Sequence, residues 1–257
     1  MSVICRFSGL AVEFDGQFLF CDLEGTLADG ISGLIGPNGQ GKSVLLKCLA
    51  GGMTPASGEI RWKQPRLRVG QFAHVNGPRV AEALGIAELH DCFARIQRGD
   101  CTPADLEKVA DLWHLPALWR QQLDAAGLDV ALDTPVAALS GGQRTRLALC
   151  AAFRHRDSYL LLDEPSNHLD REGRAWLVQQ LLQHPGGALV ASHDRTLLRR
   201  VSAIYQLGKE SLRYYGGGYE LYTSVHAAER AAVERRLTST EKQLSKVRQQ
   251  QQAAQQR

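Results

Sequence analysis

The chain has 257 residues, 44% of them hydrophobic and 22% charged, enough to bury a substantial globular core in one large or two small domains. A net charge of +3 is too slight to mark the whole chain as a polyanion binder, and no apolar run approaches the roughly 18 residues of a membrane span. The polar breaks in MSVICRFSGLAVEF argue against export, and six scattered cysteines without a CxxC pair fit neither zinc nor a disulfide framework, but suit reduced thiols in a cytosol.

In chain order, residues 3–7 and 18–23 read as strands around an Asp15-Gly16 turn, and 31–35 as a buried strand. A helix follows from Lys42 to about Leu49, stopped by Gly51 and Gly52. Strands are predicted at 58–62 and 67–72. From about Pro78 to Gly127 leucines and alanines recur at helical steps. With a further helix after Ser140 this makes a helical subdomain over about 78–150. Then come an apolar strand at 159–162, a helix from about 171 to 183 and a strand at 188–191. Strands alternating with helices predict an α/β fold with a mostly parallel core sheet.

Between the strand at 31–35 and the helix at Lys42 lies GPNGQGKS: Gly36, Pro37, Asn38, Gly39, Gln40, Gly41, Lys42, Ser43. Glycines let consecutive N–H groups turn inward around a phosphate, and the helix N-terminus adds its positive dipole end. Lys42 suits the β- and γ-phosphates and Ser43 a Mg²⁺ position. Farther on, the strand YLLL delivers Asp163 and Glu164 to a sheet edge. Asp163 suits a hard cation, and Glu164 suits polarising a water. Two acids after a strand are, taken alone, more often a solvated strand end; their company here favours chemistry.

Leu139-Ser140-Gly141-Gly142-Gln143 matches the LSGGQ signature, and the motif order (GKS, Gln71, LSGGQ, LLLDEP, SHD) resembles that of the ATP-binding cassette family over about residues 3–222. The resemblance implies that ATP and Mg²⁺ are the cofactors, and that the nucleotide is sandwiched between this cassette and a second one. It also implies a fold with an ABC-type core sheet, an antiparallel β subdomain, a helical subdomain and a C-terminal helical tail. Ser140, Gly141, Gly142 and Gln143 would cap a γ-phosphate held by the opposite cassette. Gln71 would sense metal and attacking water, and His193 would contact the γ-phosphate. Ser43, Gln71 and Asp163 would form the metal set. Phe14 would stack on adenine, with Phe18 as competitor and core packing as an almost equal alternative.

DEPSNHLD, SHDRTLL and YGGGYELY resemble the corresponding stretches of the ABC-F branch, soluble twin-cassette ATPases of the ribosome. His168, within DEPSNHLD, reads as a hydrogen-bonding loop residue in preference to a metal ligand. Residues 223–257 then resemble the start of the basic interdomain linker. From Ala227 onward there are seven Lys/Arg and three Glu, with Val233, Leu237, Leu244 and Val247 on one helical face. Such a helix suits rRNA and tRNA phosphates, although a merely solvated linker also fits. Three departures stand out: Val44 replaces the second hydroxyl of GKST, the 71–140 interval is short for a long helical arm, and only one GKS and one LSGGQ occur. The expectation is a cytoplasmic N-terminal half, acting with a C-terminal half or as a homodimer. The alternatives are the ATPase subunit of a transporter and a cassette that only binds nucleotide.

Overall fold

A computed structural model describes residues 2–70, 77–208 and 211–229. Gln71, Phe72 and the tail beyond Glu229, including the predicted helical face of Val233, Leu237, Leu244 and Val247, lie outside the described residues.

The chain opens on a long hairpin, β1 (Val3–Phe14) and β2 (Gln17–Ala28), turned at Asp15 and Gly16, both at positive φ. That pair gives the twist a tight hairpin needs. The strands are twice as long as alternation predicts, because their register slips repeatedly between Val3 and Glu13. Each bulge flips the in–out pattern that marks a strand in sequence. β3 (Ile31–Ile35) leads through the glycine-rich turn to α1 (Lys42–Ala50), which ends at left-handed Gly51. β4 (Ser57–Trp62) completes an antiparallel sheet of order β2-β1-β4.

The second sheet contains β3, β5 (Arg66–Val69), β6 (Tyr159–Asp163), β7 (Ala188–Ala191), β8 (Ala203–Leu207) and β9 (Leu212–Gly216), ordered β5-β6-β7-β3-β8-β9. Only the β8–β9 pair is antiparallel. β6 is buried on both faces, as a central parallel strand must be. Leu160 and Leu162 join the core under the helices; Tyr159 and Leu161 join the core shared with α1 and the antiparallel sheet. The fold is thus α/β as expected, with β8 and β9 added to the predicted strands.

The 78–127 stretch forms four short helices: α2 (Val80–Ala83), α3 (Ala87–Arg98), α4 (Pro103–Val109) and α5 (Leu115–Ala125). Left-handed Gly99 stops α3. Thr102 caps α4, whose first residue is Pro103, and an Arg95–Asp105 ion pair ties the two helices together. α6 (Gly141–Phe153), α7 (Arg171–Gln183) and the short α8 (Arg195–Leu198) flank the parallel sheet. Residues 218–229 are helical, and Tyr222 stacks between Tyr215 of β9 and His226 at 5.2 and 5.4 Å.

One strut joins these parts. Arg146 of α6 is only 14% exposed; it donates to the carbonyls of Ala126 and Gly127 and pairs with Asp170, the N-cap of α7, at 2.8 Å. Arg146→Met strands those acceptors, and is expected to cost about 1.5–3 kcal/mol, read from urea unfolding.

Candidate functional site

The nest is built at the C-terminal end of β3. Gly36, Gly39 and Gly41 carry φ of 155°, 81° and 91°, conformations that only glycine adopts readily. A Cβ on Gly36 would meet the Leu207 carbonyl oxygen at 2.7 Å, and one on Gly41 would meet Leu19 Cδ2 at 2.6 Å. A Cβ on Gly39 would meet nothing within 4 Å, so that glycine borders open space. No side chain caps α1, which leaves the N–H groups of its first turn available to an anion. Lys42, 8% exposed, folds back and donates to the carbonyls of Gly36 at 2.8 Å and Pro37 at 3.3 Å. Burial holds its pKa below the usual lysine range, against the opposing pull of Glu164 and Asp163. Buried Gln40 Oε1 has no partner. Open N–H donors, a desolvated cation and a glycine-lined rim fit a polyphosphate. Gly41→Ala, which puts a Cβ at φ 91° and against Leu19, is expected to destabilise the fold by about 1–3 kcal/mol in thermal unfolding.

Beside the nest, β6 ends in Asp163, which is 3% exposed. Its Oδ1 accepts from Ser43 Oγ at 3.0 Å across 120 residues of sequence, and its Oδ2 lies 3.6 Å from Arg68 Nη2. This pair of hard oxygens fits Mg²⁺. Glu164 follows in a left-handed conformation, φ 49°, and its N–H is clamped to the Ala191 carbonyl of β7 at 2.8 Å. That turn is strained for a non-glycine residue, and leaves its carboxylate 15% exposed and 3.6 Å from His193 Nε2. The same nitrogen is 3.1 Å from Asn38 Oδ1, so His193 spans the nest and the glutamate. Burial raises the Glu164 pKa, with the charges of His193 and Lys42 opposing. Lys42, Ser43, Asp163, Glu164, Asn38 and His193 therefore form one connected set.

The other candidate residues lie apart from it. Ser140 caps α6: its Oγ accepts from Gln143 N at 3.3 Å, while Gln143 Oε1 accepts from Ser140 N at 2.9 Å. Gly141 has open space where a Cβ would be, and Gly142 packs under the His168 carbonyl. No hydrogen bond joins residues 140–143 to residues 36–43 among the described residues. Phe14 and Phe18 are 46% and 60% exposed on the hairpin that flanks Gly41, so neither is core. His168, exposed at φ 65°, makes no metal-type cluster; in the one such group among the described residues, His90, Asp91 and Asp133, both carboxylates are already paired with Arg79. Arg68, 3.6 Å from Asp163, is the neighbour of the set that motif reading passes over.

The profile of the family described as "ABC transporter" matches residues 26–167, over half of the chain. The energy-dependent translational throttle protein EttA of Mycobacterium tuberculosis is 36% identical, over 79% of this chain and 40% of its own length. The ribosome protection protein VmlR of Bacillus subtilis is 27% identical, over 96% of this chain and 39% of its own. The chain thus spans about two fifths of the length of these curated relatives. Among solved structures, the ATP binding subunit of an ABC transporter superposes with TM-score 0.64 at 19% identity, covering 87% of this chain and 99% of that one. A cassette dimer bound to ADP and Pi in a post-hydrolysis state gives 0.63 at 17%, covering 83% and 98%; both establish the fold. With the family profile spanning both the nest and the carboxylates, the chain belongs to the ATP-binding cassette family.

Proposed function

We propose that this chain is the MgATP-hydrolysing cassette of a cytoplasmic ABC-F protein acting on the ribosome, with ATP held between it and a second cassette. The observation that carries the reading is the convergence of Ser43 on Asp163 and of His193 on both Asn38 and Glu164, at the mouth of the glycine nest. In this account the 36–43 N–H groups and Lys42 bind the phosphates, and Phe14 or Phe18 faces the adenine. Glu164 orients the attacking water and accepts its proton. His193 holds the γ-phosphate end, and Gln71 is assigned the sensing of metal and attacking water by its motif alone. Ser43, Asp163 and Gln71 would hold Mg²⁺, which supplies charge neutralisation for the phosphates. Residues 140–143 present the start of α6 to the nucleotide of the opposite cassette.

The ribosomal part is supported by the names of the two relatives, a translational throttle and a ribosome protection protein, and by the DEPSNHLD wording. The basic 223–257 segment would meet RNA phosphates as the linker between cassettes. Co-sedimentation of the full-length protein with ribosomes, with membranes as the control, tests this. Salt-sensitive recovery with ribosomes is expected. Recovery with membranes alone would favour the transporter-subunit reading, which the likeness to a transporter's ATP binding subunit keeps in play.

A further inference from the structure

Arg68 is a second cation at the carboxylate cluster that the proposed chemistry leaves without a task. β5 runs parallel to β6 with Arg68 opposite Leu161, two residues short of Asp163, so the long side chain extends forward along the strand to reach it. Room comes from Gly70: an added Cβ there would lie 3.0 Å from the guanidinium, which therefore rests directly over that backbone. The side chain is 25% exposed, and its Nε is buried without a partner. An arginine serving only as a strand-surface residue would send its guanidinium to water and satisfy that nitrogen. Asp163 meanwhile has both oxygens engaged, Oδ1 by Ser43 and Oδ2 by Arg68. Lys42 and Arg68 balance Asp163 and Glu164, so the cluster is neutral before any ligand enters.

A divalent cation arriving at the Ser43–Asp163 oxygens must share that carboxylate with a guanidinium, and the two positive charges repel at short range. We propose that Arg68 is a positioning residue for Asp163 that competes with Mg²⁺ for its carboxylate, and so sets the Mg²⁺ concentration at which nucleotide is held. This rests on the MgATP reading above. The guanidinium keeps the buried acid compensated when the cation is away, and its positive charge opposes the cation when it arrives.

The test is binding of a fluorescent ATP analogue to the whole chain over a Mg²⁺ titration, without reference to turnover. Arg68→Met is expected to lower the half-saturating Mg²⁺ concentration by about three- to tenfold. Arg68→Gln, the milder change that retains a polar group, should shift it in the same direction and serves if the methionine variant folds poorly. A purely structural strut would lower the melting temperature and leave that midpoint alone. A midpoint within about twofold of wild type in both variants, or one that rises, overturns the inference. Wild-type protein that binds no nucleotide at any Mg²⁺ concentration would instead sink the underlying functional reading, so the two failures are distinguishable.

Discussion

Glu164→Gln, assayed with the second cassette present, is expected to reduce turnover about 10²–10⁴-fold while ATP binding survives. The amide keeps the shape of the side chain and the left-handed backbone clamped to Ala191, but cannot accept a proton from water. Phosphate release measures the loss, and nucleotide fluorescence measures the retained binding. Turnover within tenfold of wild type would remove Glu164 from the mechanism. The pH profile gives an independent sign. Only the ionised carboxylate serves as base, and burial raises its pKa, so the acid limb of the rate profile should lie above the ordinary glutamate value of about 4.3. Activity then rises with pH through that limb. Stability runs the other way: a carboxylate with a folded pKa above its unfolded value loses stability as pH climbs from the unfolded to the folded pKa. Glu164→Gln should therefore melt at a higher temperature than wild type at neutral pH and gain nothing in acid.

Lys42→Ala is the second large effect, on binding. Hydrogen bonds to charged groups contribute about 1.5–3 kcal/mol, which corresponds to a loss in MgATP affinity of about ten- to more than a hundredfold. The lysine is pre-placed: its Nζ already sits over the Gly36 and Pro37 carbonyls, so it needs only to exchange those acceptors for phosphate oxygens. Its lowered pKa reflects a desolvated cation, whose attraction for an anion is strengthened by the same burial. Titration with a fluorescent nucleotide reads the change. An affinity equal to wild type in a variant with an unchanged melting temperature would contradict the role.

Much of this site is visible in the chain before folding, for a physical reason. A phosphate nest needs glycines at fixed offsets before a helix, and a buried strand ending in acids reads as an apolar run followed by charge. The 120 residues between Ser43 and Asp163 therefore do not hide their meeting. What stays hidden depends on pairing between strands. Arg68 looks like an ordinary solvated residue until β5 lies beside β6 and Gly70 opens the space for it. The left-handed turn of Glu164 has no sequence signal, since glutamate rarely adopts it. The hairpin strands read short because bulges break their alternation, and the helical stretch reads continuous because its stops, such as Gly99 and the Thr102–Pro103 cap, sit within an unbroken leucine and alanine pattern. In LSGGQ, the Ser140–Gln143 capping box adds local helix chemistry to a motif noticed for its ligand role.

A magnesium-bound triphosphate held in the 36–43 turn, with Asp163 and Glu164 alongside, should slow backbone exchange where it sits. Hydrogen–deuterium exchange on the intact chain, with and without MgATP, addresses location directly. Exchange is expected to slow across residues 36–45, with a smaller effect at 163–166. Saturating MgATP that leaves exchange in 36–45 unchanged would contradict that placement.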